Sequence, residues 1–165
     1  MISKDMFIAK ITNEVRILKH LASKATTPEL LNFRFSDKQR TTAQWLAYLA
    51  LVGSAVAKEA LNDDWSGFEL FNDKYENFDP ATFAETIDAD LAEIIAIVEA
   101  ATPEKFAEGK SLWRMPENAR AWHILSINDL YVAYKTEIFL QLKAAGLSEL
   151  ETMNLWAGMD APSKA

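Results

Sequence analysis

Apolar residues recur at intervals of three and four along most of the chain, which is the spacing of one face of an α-helix. The alternation expected of β-strands between turn residues is missing, and only 5 Gly and 5 Pro occur. The pattern therefore predicts an all-α protein. We expect four long helices, near residues 4–24, 42–61, 80–101 and 117–145, with their apolar faces packed around one axis as a four-helix bundle.

Capping residues indicate where these helices begin and end. Thr41 and Gln44 have the spacing of a capping box, in which each side chain bonds the backbone N–H of the other residue. The pair Asp79 and Pro80 is typical of a helix start, because proline suits the first helical position. Gly146 follows the fourth apolar stripe and is expected to end that helix in a left-handed conformation.

The connections between the helices predict the topology. Residues 62–79 are polar and aromatic, and this segment is too long for a tight hairpin. We expect it to cross the bundle, so that helices two and three run parallel and the order is up-down-down-up. Residues 28–31 should form a short turn, and 148–156 one short helix. A length of 165 residues with 50% hydrophobic composition favours one domain over residues 1–165.

The charge balance argues against two classes of partner. The formal net charge is -7 and the pI is near 4.9, so neither nucleic acid nor an anionic membrane surface is an expected partner. Polar residues interrupt the N-terminal stretch every few positions, whereas a signal peptide or a membrane span has a continuous apolar segment. We therefore expect a cytoplasmic protein. Without cysteine, the chain has no disulfide, thiolate nucleophile or Cys-type metal site.

The two histidines restrict the metal chemistry further. A ferritin-type di-iron bundle needs Glu-x-x-His pairs, but Ile17 and Arg120 stand three residues before His20 and His123. The His-x-x-x-His spacing of zinc hydrolases is also absent, because the two residues lie in different predicted helices. His123, near the start of the fourth helix, is expected to be partly exposed and hydrogen-bonded.

Two segments resemble the DinB/YfiT-like family. Residues 41–49, Thr-Thr-Ala-Gln-Trp-Leu-Ala-Tyr-Leu, are similar to the start of that family's second helix, where a capped apolar run leads to a metal-binding histidine. Tyr48 stands at that histidine position. Residues 129–137 are similar to the family's His-x-x-x-His-Arg-Gly-Gln helix, with Leu130 and Tyr134 at the two histidine positions.

The resemblance implies an up-down-down-up four-helix bundle, often dimeric, in which three histidines hold a divalent metal in a cleft. Some members use that metal for thiol-dependent transfer, isomerisation or hydrolysis. This sequence departs from the family at all three ligand positions, and neutral phenols are poor zinc ligands at pH 7. We therefore expect a homodimer that holds no metal and no other cofactor.

The candidates for a site inside the bundle are the vacated ligand positions and their polar neighbours: Tyr48, Leu130, Tyr134, Glu137, His123 and Glu14. His123, Leu130 and Glu137 are seven residues apart and share one side of the helix. At about 1.5 Å per residue, however, His123 and Glu137 lie about 21 Å apart and cannot share an ion. Glu14, among the core positions of the first helix, is the remaining donor for a relocated site.

Two hypotheses follow for the function. In the first, a metal-free homodimer holds a small ligand between Tyr48, Tyr134 and the loop tryptophans Trp65, Trp113 and Trp156; in the simplest form of this reading the two tyrosines only fill the core. In the second, a divergent enzyme, either a thiol-dependent transferase or a metal-dependent hydrolase, has moved its site to other residues.

Overall fold

The computed structural model describes residues 3–162. Within this range the four long helices are α1 (Lys4–Ala22), α3 (Thr42–Ala57), α6 (Phe83–Ala100) and α8 (Arg120–Ala144). The connections contain the short helices α2 (Pro28–Asn32), α4 (Ser66–Glu69), α5 (Phe71–Glu76), α7 (Pro103–Ala107) and α9 (Thr152–Trp156). Two short strands, β1 (Gly109–Lys110) and β2 (Asn118–Ala119), pair antiparallel. None of the helices in this range is long and apolar enough to cross a membrane.

Contacts near the helix ends give the directions of α1, α6, α3 and α8. The Lys4 ammonium at the start of α1 donates to the Glu99 carbonyl near the end of α6 at 3.0 Å, so these helices are antiparallel. The Thr42 hydroxyl at the start of α3 donates to the Gln141 side chain in the last turn of α8 at 3.0 Å, so these two are also antiparallel.

The helices α3 and α6 run parallel, as the long connection predicts. Ser54 of α3 bonds Asp90 of α6, and one turn further along both helices Lys58 Nζ lies 2.6 Å from Glu93 Oε1. The segment between α3 and α6 carries α4 and α5 and brings the chain back along the bundle. The up-down-down-up four-helix bundle is therefore confirmed.

The predicted apolar faces form the core. The α6 stripe is buried throughout, and α1 and α3 contribute their predicted stripes beside it; the α6 residues are Phe83, Ile87, Leu91, Ile94 and Val98. Thr41 and Gln44 form the predicted capping box at α3. The helix α3 is shorter than predicted because residues 58–62 continue it as a π-helical turn, and α6 begins later because Pro80–Thr82 is a 3-10 turn.

The strand β1 lies in the connection between the third and fourth predicted helices, whereas β2 lies at residues that were predicted to begin the fourth helix, which begins at Arg120 instead. They fold across the start of α8, where the buried Arg120 side chain holds them in place. Its guanidinium donates to the Ala60 carbonyl at 2.7 Å, to Asp63 at 3.0 Å and to Glu108 at 2.8 Å. Arg120 thus ties the end of α3 to the segment before β1. At the other end of α8, Gly146 has a φ of 130°, as predicted for its position.

Candidate functional site

Two of the three vacated ligand positions meet in the structure. Tyr48 of α3 and Tyr134 of α8 have ring centroids 5.5 Å apart at 88°. Trp45, one turn before Tyr48, stacks on Tyr134 with centroids 4.1 Å apart. The Arg40 guanidinium carbon lies 4.9 Å from the ring centroids of both Trp45 and Tyr48. The region between α3 and α8 at this level is therefore packed with aromatic rings and covered by a guanidinium.

The donor set at these positions does not fit a divalent metal. Burial raises the pKa of Tyr48, and the neighbouring Tyr134 raises it further, while Arg40 offsets part of the effect. The Tyr48 phenol is accordingly neutral at pH 7 and a poor ligand. Leu130 lies half-buried one turn before Tyr134 and carries no donor atom. Tyr48 and Leu130 therefore cannot replace metal-binding histidines.

Glu14, the remaining donor considered for a relocated site, is held by lysines. Its side chain is buried, forms an ion pair with the buried Lys135 of α8, and lies 3.0 Å from the Lys10 ammonium. Burial alone would raise the pKa of Glu14, but the hydrogen bonds and charges of Lys135 and Lys10 hold it below its usual value. Glu14 is ionised and neutralised by these partners, which is the arrangement of a structural ion pair.

Glu137 and His123 lie in other surroundings. Glu137 accepts a hydrogen bond from Gln39 at 3.2 Å. His123 is fully buried, so the expectation of partial exposure is wrong; the reason is that β1 crosses the start of α8 and its Lys110 carbonyl lies 2.8 Å from His123 Nε2. His123 precedes Tyr134 by eleven residues, or about 17 Å along the helix axis. The six candidates therefore do not converge on one site.

The absence of a ligand cluster extends beyond these six residues. Over residues 3–162, no group of three or more His, Asp or Glu side chains is arranged so that it could hold a metal ion. The relocated site of the enzyme hypothesis would need such a group.

A polar cluster that sequence reasoning missed lies deeper in the core, where α3, α6 and α8 approach one another. The Ser54 backbone N–H lies 3.2 Å from both carboxylate oxygens of Asp90, and the Ser54 hydroxyl donates to Oδ1. The Tyr131 hydroxyl donates to Asp90 Oδ2 at 3.4 Å. Asp90 is 7% exposed and Tyr131 is fully buried.

Gly53 allows this close approach of three helices. A Cβ atom at this position would lie 2.5 Å from the Tyr131 hydroxyl and 2.7 Å from Asp90 Oδ2, so any side chain would displace the cluster. The sequence does carry a signal for the site. Asp90 is three residues after Ile87 and four before Ile94, which places a carboxylate on the apolar face of α6.

Burial sets the proton affinity of the cluster. Burial raises the pKa of Asp90 and the charge of Glu93 adds to the increase, while the hydrogen bonds from Ser54 and Tyr131 oppose it; the resulting pKa is about 6. Burial also raises the pKa of Tyr131 well above its usual value, and the adjacent Asp90 adds to the effect. Asp90 is therefore a buried carboxyl group that changes charge close to neutral pH.

Comparisons with known proteins show a similarity in fold. No protein-family model matches the sequence, and no curated protein matches it. Among solved structures, the crystal structure of a DinB-like protein from Bacillus subtilis, YjoA, superposes with a TM-score of 0.67 at 12% sequence identity. The superposition covers 88% of this chain and 94% of that chain. Together with the observed helix order, this shows that the chain has the DinB-like four-helix-bundle fold.

Proposed function

We propose that this protein is a metal-free, DinB-like binding protein that works as a homodimer and not as a metal-dependent enzyme. The observation that carries the proposal is the aromatic packing at the vacated ligand positions, where Trp45 stacks on Tyr134 and Tyr134 meets Tyr48 edge to face. A metal with its substrate needs an open coordination position. At the three vacated positions the metal ligands of this fold are missing. The rings are in contact and Arg40 lies over them, so no open coordination position remains either.

The proposed dimer surface is the outward face of α8. Trp122, Val132 and Leu140 are 46%, 36% and 46% exposed, and their spacing places them along one side of the helix. From residue 122 to residue 140 this stripe is about 27 Å long. Met6, at 62% exposure, lies beside its beginning on α1. The exposed Asp129 lies between Trp122 and Val132 on this side of the helix, so the proposed surface is mixed, with exposed apolar side chains that a partner would bury.

Charges beside the stripe favour a second copy of the same chain as its occupant. Lys10 of α1 and Asp129 of α8 line one groove of about 470 Å³, together with Met6 and Trp122. A two-fold axis brings the same patch of each copy together, and we place it so that Lys10 of one copy, whose ammonium also lies 3.0 Å from Glu14 of its own chain, approaches Asp129 of the other. One opposite charge pair would then form twice across an otherwise apolar contact. The cytoplasmic location expected from the sequence stays a prediction.

The metal half of the proposal is tested by rebuilding the histidine triad. The triple variant Tyr48→His, Leu130→His and Tyr134→His should bind zinc, because it supplies three imidazoles on the helices that present them in this fold. The double variant without Leu130→His is the matched control and should bind far more weakly. Calorimetric zinc titration of untagged protein distinguishes them.

Two results would overturn this half of the proposal. One is zinc binding by the unmodified protein as tight as that of the triple variant. The other is a folded triple variant that binds no more zinc than the double variant, because the three positions would then not converge.

A further inference from the structure

A small cavity opens beside the buried carboxylate of Asp90. It has a volume of about 190 Å³ and lies between α3, α6 and the crossover helices α4 and α5. Leu51, Leu70 and Phe71 give it apolar walls. Its polar lining consists of Ser54, Lys58, Ser66, Lys74, Thr86, Asp90 and Glu93, of which Asp90 is the buried charge. Leu70 is 54% exposed, so the cavity reaches the solvent next to the crossover.

The charge of Asp90 is incompletely balanced by its neighbours. Its hydrogen-bond donors are the uncharged Ser54 and Tyr131, and three of the four bonds are long, at 3.2, 3.2 and 3.4 Å. Lys58 also lines the cavity, but its ammonium lies 2.6 Å from Glu93 Oε1 and is neutralised there. A buried carboxylate without a cationic partner loses solvation and gains little in return.

We infer that this cavity binds a small amphipathic ammonium compound, whose nitrogen donates to the Asp90 carboxylate and whose hydrocarbon part packs against Leu51, Leu70 and Phe71. The inference rests on the proposed function, since it takes the protein to act by binding, and it names the ligand class. The site lies one to two turns along α3 from Tyr48. Its Phe71 wall packs edge to face against the Tyr48 ring, with centroids 5.7 Å apart, so the cavity borders the aromatic packing at the vacated metal position.

The charges lining the cavity favour a cation over an anion. The lining side chains carry two negative charges, on Asp90 and Glu93, and two positive charges, on Lys58 and Lys74. Lys74 is exposed and Lys58 is paired, whereas Asp90 is buried. Electrostatic interactions are strongest where water is excluded, so Asp90 decides the sign of the ligand.

Butylammonium chloride is the probe, and 1-butanol is the neutral control of the same size. We expect butylammonium to shift the backbone amide NMR signals of Ser54, Gly67 and Leu70 saturably at pH 7.5, with a dissociation constant of about 1 mM for so small a ligand. Butanol should bind at least about tenfold more weakly, because it lacks the charge-assisted hydrogen bond.

Two variants locate the binding site. Asp90→Asn should weaken butylammonium binding at least about tenfold, whereas Asp88→Asn, on the exposed side of the same helix, should leave it unchanged. Ala89→Leu adds bulk at an exposed lining position and should also weaken binding, while Ala84→Leu, elsewhere on α6, should not. Because Ala89 is exposed, its variant keeps the test decisive even where Asp90→Asn fails to fold.

The pH dependence gives an independent readout. Between pH 7.5 and pH 5, protonation of Asp90 should weaken butylammonium binding about tenfold, since its pKa is about 6. The other titratable groups facing the cavity are Lys58, Lys74 and Glu93, and the Tyr131 hydroxyl bonds Asp90.

The inference is overturned if the Ser54 signal does not saturate at about ten times the expected dissociation constant, or if butanol or Asp90→Asn gives equal affinity. Zinc content measured on the same sample keeps this failure separate from that of the proposed function. A zinc-free protein that ignores butylammonium contradicts only the cavity inference, and a zinc-loaded protein that binds it at Asp90 contradicts only the proposed function.

Discussion

A few buried polar side chains interrupt the apolar core of this bundle, and the carboxyl group of Asp90 is the most unusual of them. Its position in the apolar stripe of α6 is readable from the sequence, because it falls in register with Ile87 and Ile94. Its partners are not readable, since Ser54 and Tyr131 come from two other helices. In the same way, the burial of His123 depends on its contact with β1, and the local sequence pattern does not predict β1.

The first prediction concerns the pH dependence that Asp90 gives to stability. Its pKa is raised from the usual 3.8 of an aspartate to about 6, so between these values the folded protein binds a proton that the unfolded chain does not. The contribution of Asp90 to the free energy of unfolding therefore falls as the pH rises through about 6, by a total of about 3 kcal/mol. Asp90→Asn should remove this dependence.

Urea unfolding at pH 4.5 and pH 7.5 checks the prediction. The free energy of unfolding of Asp90→Asn, minus that of the unmodified protein, should be larger at pH 7.5 than at pH 4.5. The same difference for Asp88→Asn should not change with pH, because the Asp88 carboxyl group is exposed. A stability difference between Asp90→Asn and the unmodified protein that is the same at both pH values would contradict the assignment.

Pairs of helices are joined by contacts that differ in chemistry. The α1 and α8 helices share the buried ion pair of Glu14 and Lys135, while α3 and α8 share the aromatic packing around Tyr134. The apolar stripes and caps predicted all four long helices, because spacing and capping are local properties. The strands β1 and β2 were missed because two residues each leave no alternating pattern, and their pairing depends on contacts distant in sequence.

The second prediction concerns the ion pair between α1 and α8. Glu14→Leu should lower the free energy of unfolding by about 3 to 5 kcal/mol, because it leaves the Lys135 charge buried without a partner. Lys135→Met should cost less, since the Lys10 ammonium remains 3.0 Å from Glu14. The double variant should recover most of the stability lost in Glu14→Leu.

Denaturant unfolding of the three variants gives the coupling directly. Additive losses in the double variant would show that Glu14 and Lys135 do not act as a buried pair. Equal losses from the two single variants would show that Lys10 does not compensate for the loss of Lys135.

The whole molecule follows a topology that the sequence predicted through one feature, the length of the segment between helices two and three. That length requires a crossover and therefore parallel neighbours, and the Ser54–Asp90 and Lys58–Glu93 contacts confirm the direction. The arrangement of the candidate site was harder to predict from the sequence than the topology. The vacated ligand positions could be named from the resemblance. Their packing depends on tertiary contacts, in which the Trp45 ring stacks on Tyr134 and the Arg40 guanidinium lies over Tyr48.

The third prediction concerns assembly of the molecule. The unmodified protein should sediment at micromolar concentration as twice the 18.6 kDa chain. The double variant Val132→Glu and Leu140→Glu should sediment as a single chain, because it places charges in the middle of the apolar stripe on α8. Trp156→Glu is the matched control, since Trp156 is 69% exposed but lies on α9, outside the stripe.

A dimer that survives both charges on α8, or is broken by Trp156→Glu alone, would place the contact elsewhere on the molecule. An unmodified protein that stays a single chain would contradict self-association itself.

The metal content of the unmodified protein tests the proposed function most directly. The protein is produced without a histidine tag, equilibrated with zinc, dialysed and analysed for metal per chain. Because Tyr48, Leu130 and Tyr134 offer two neutral phenols and an aliphatic group, we predict far less than one zinc per chain, while the triple histidine variant retains about one. Close to one zinc per chain in the unmodified protein, lost in Tyr48→Phe or Tyr134→Phe, would contradict the proposal that this bundle works without a metal.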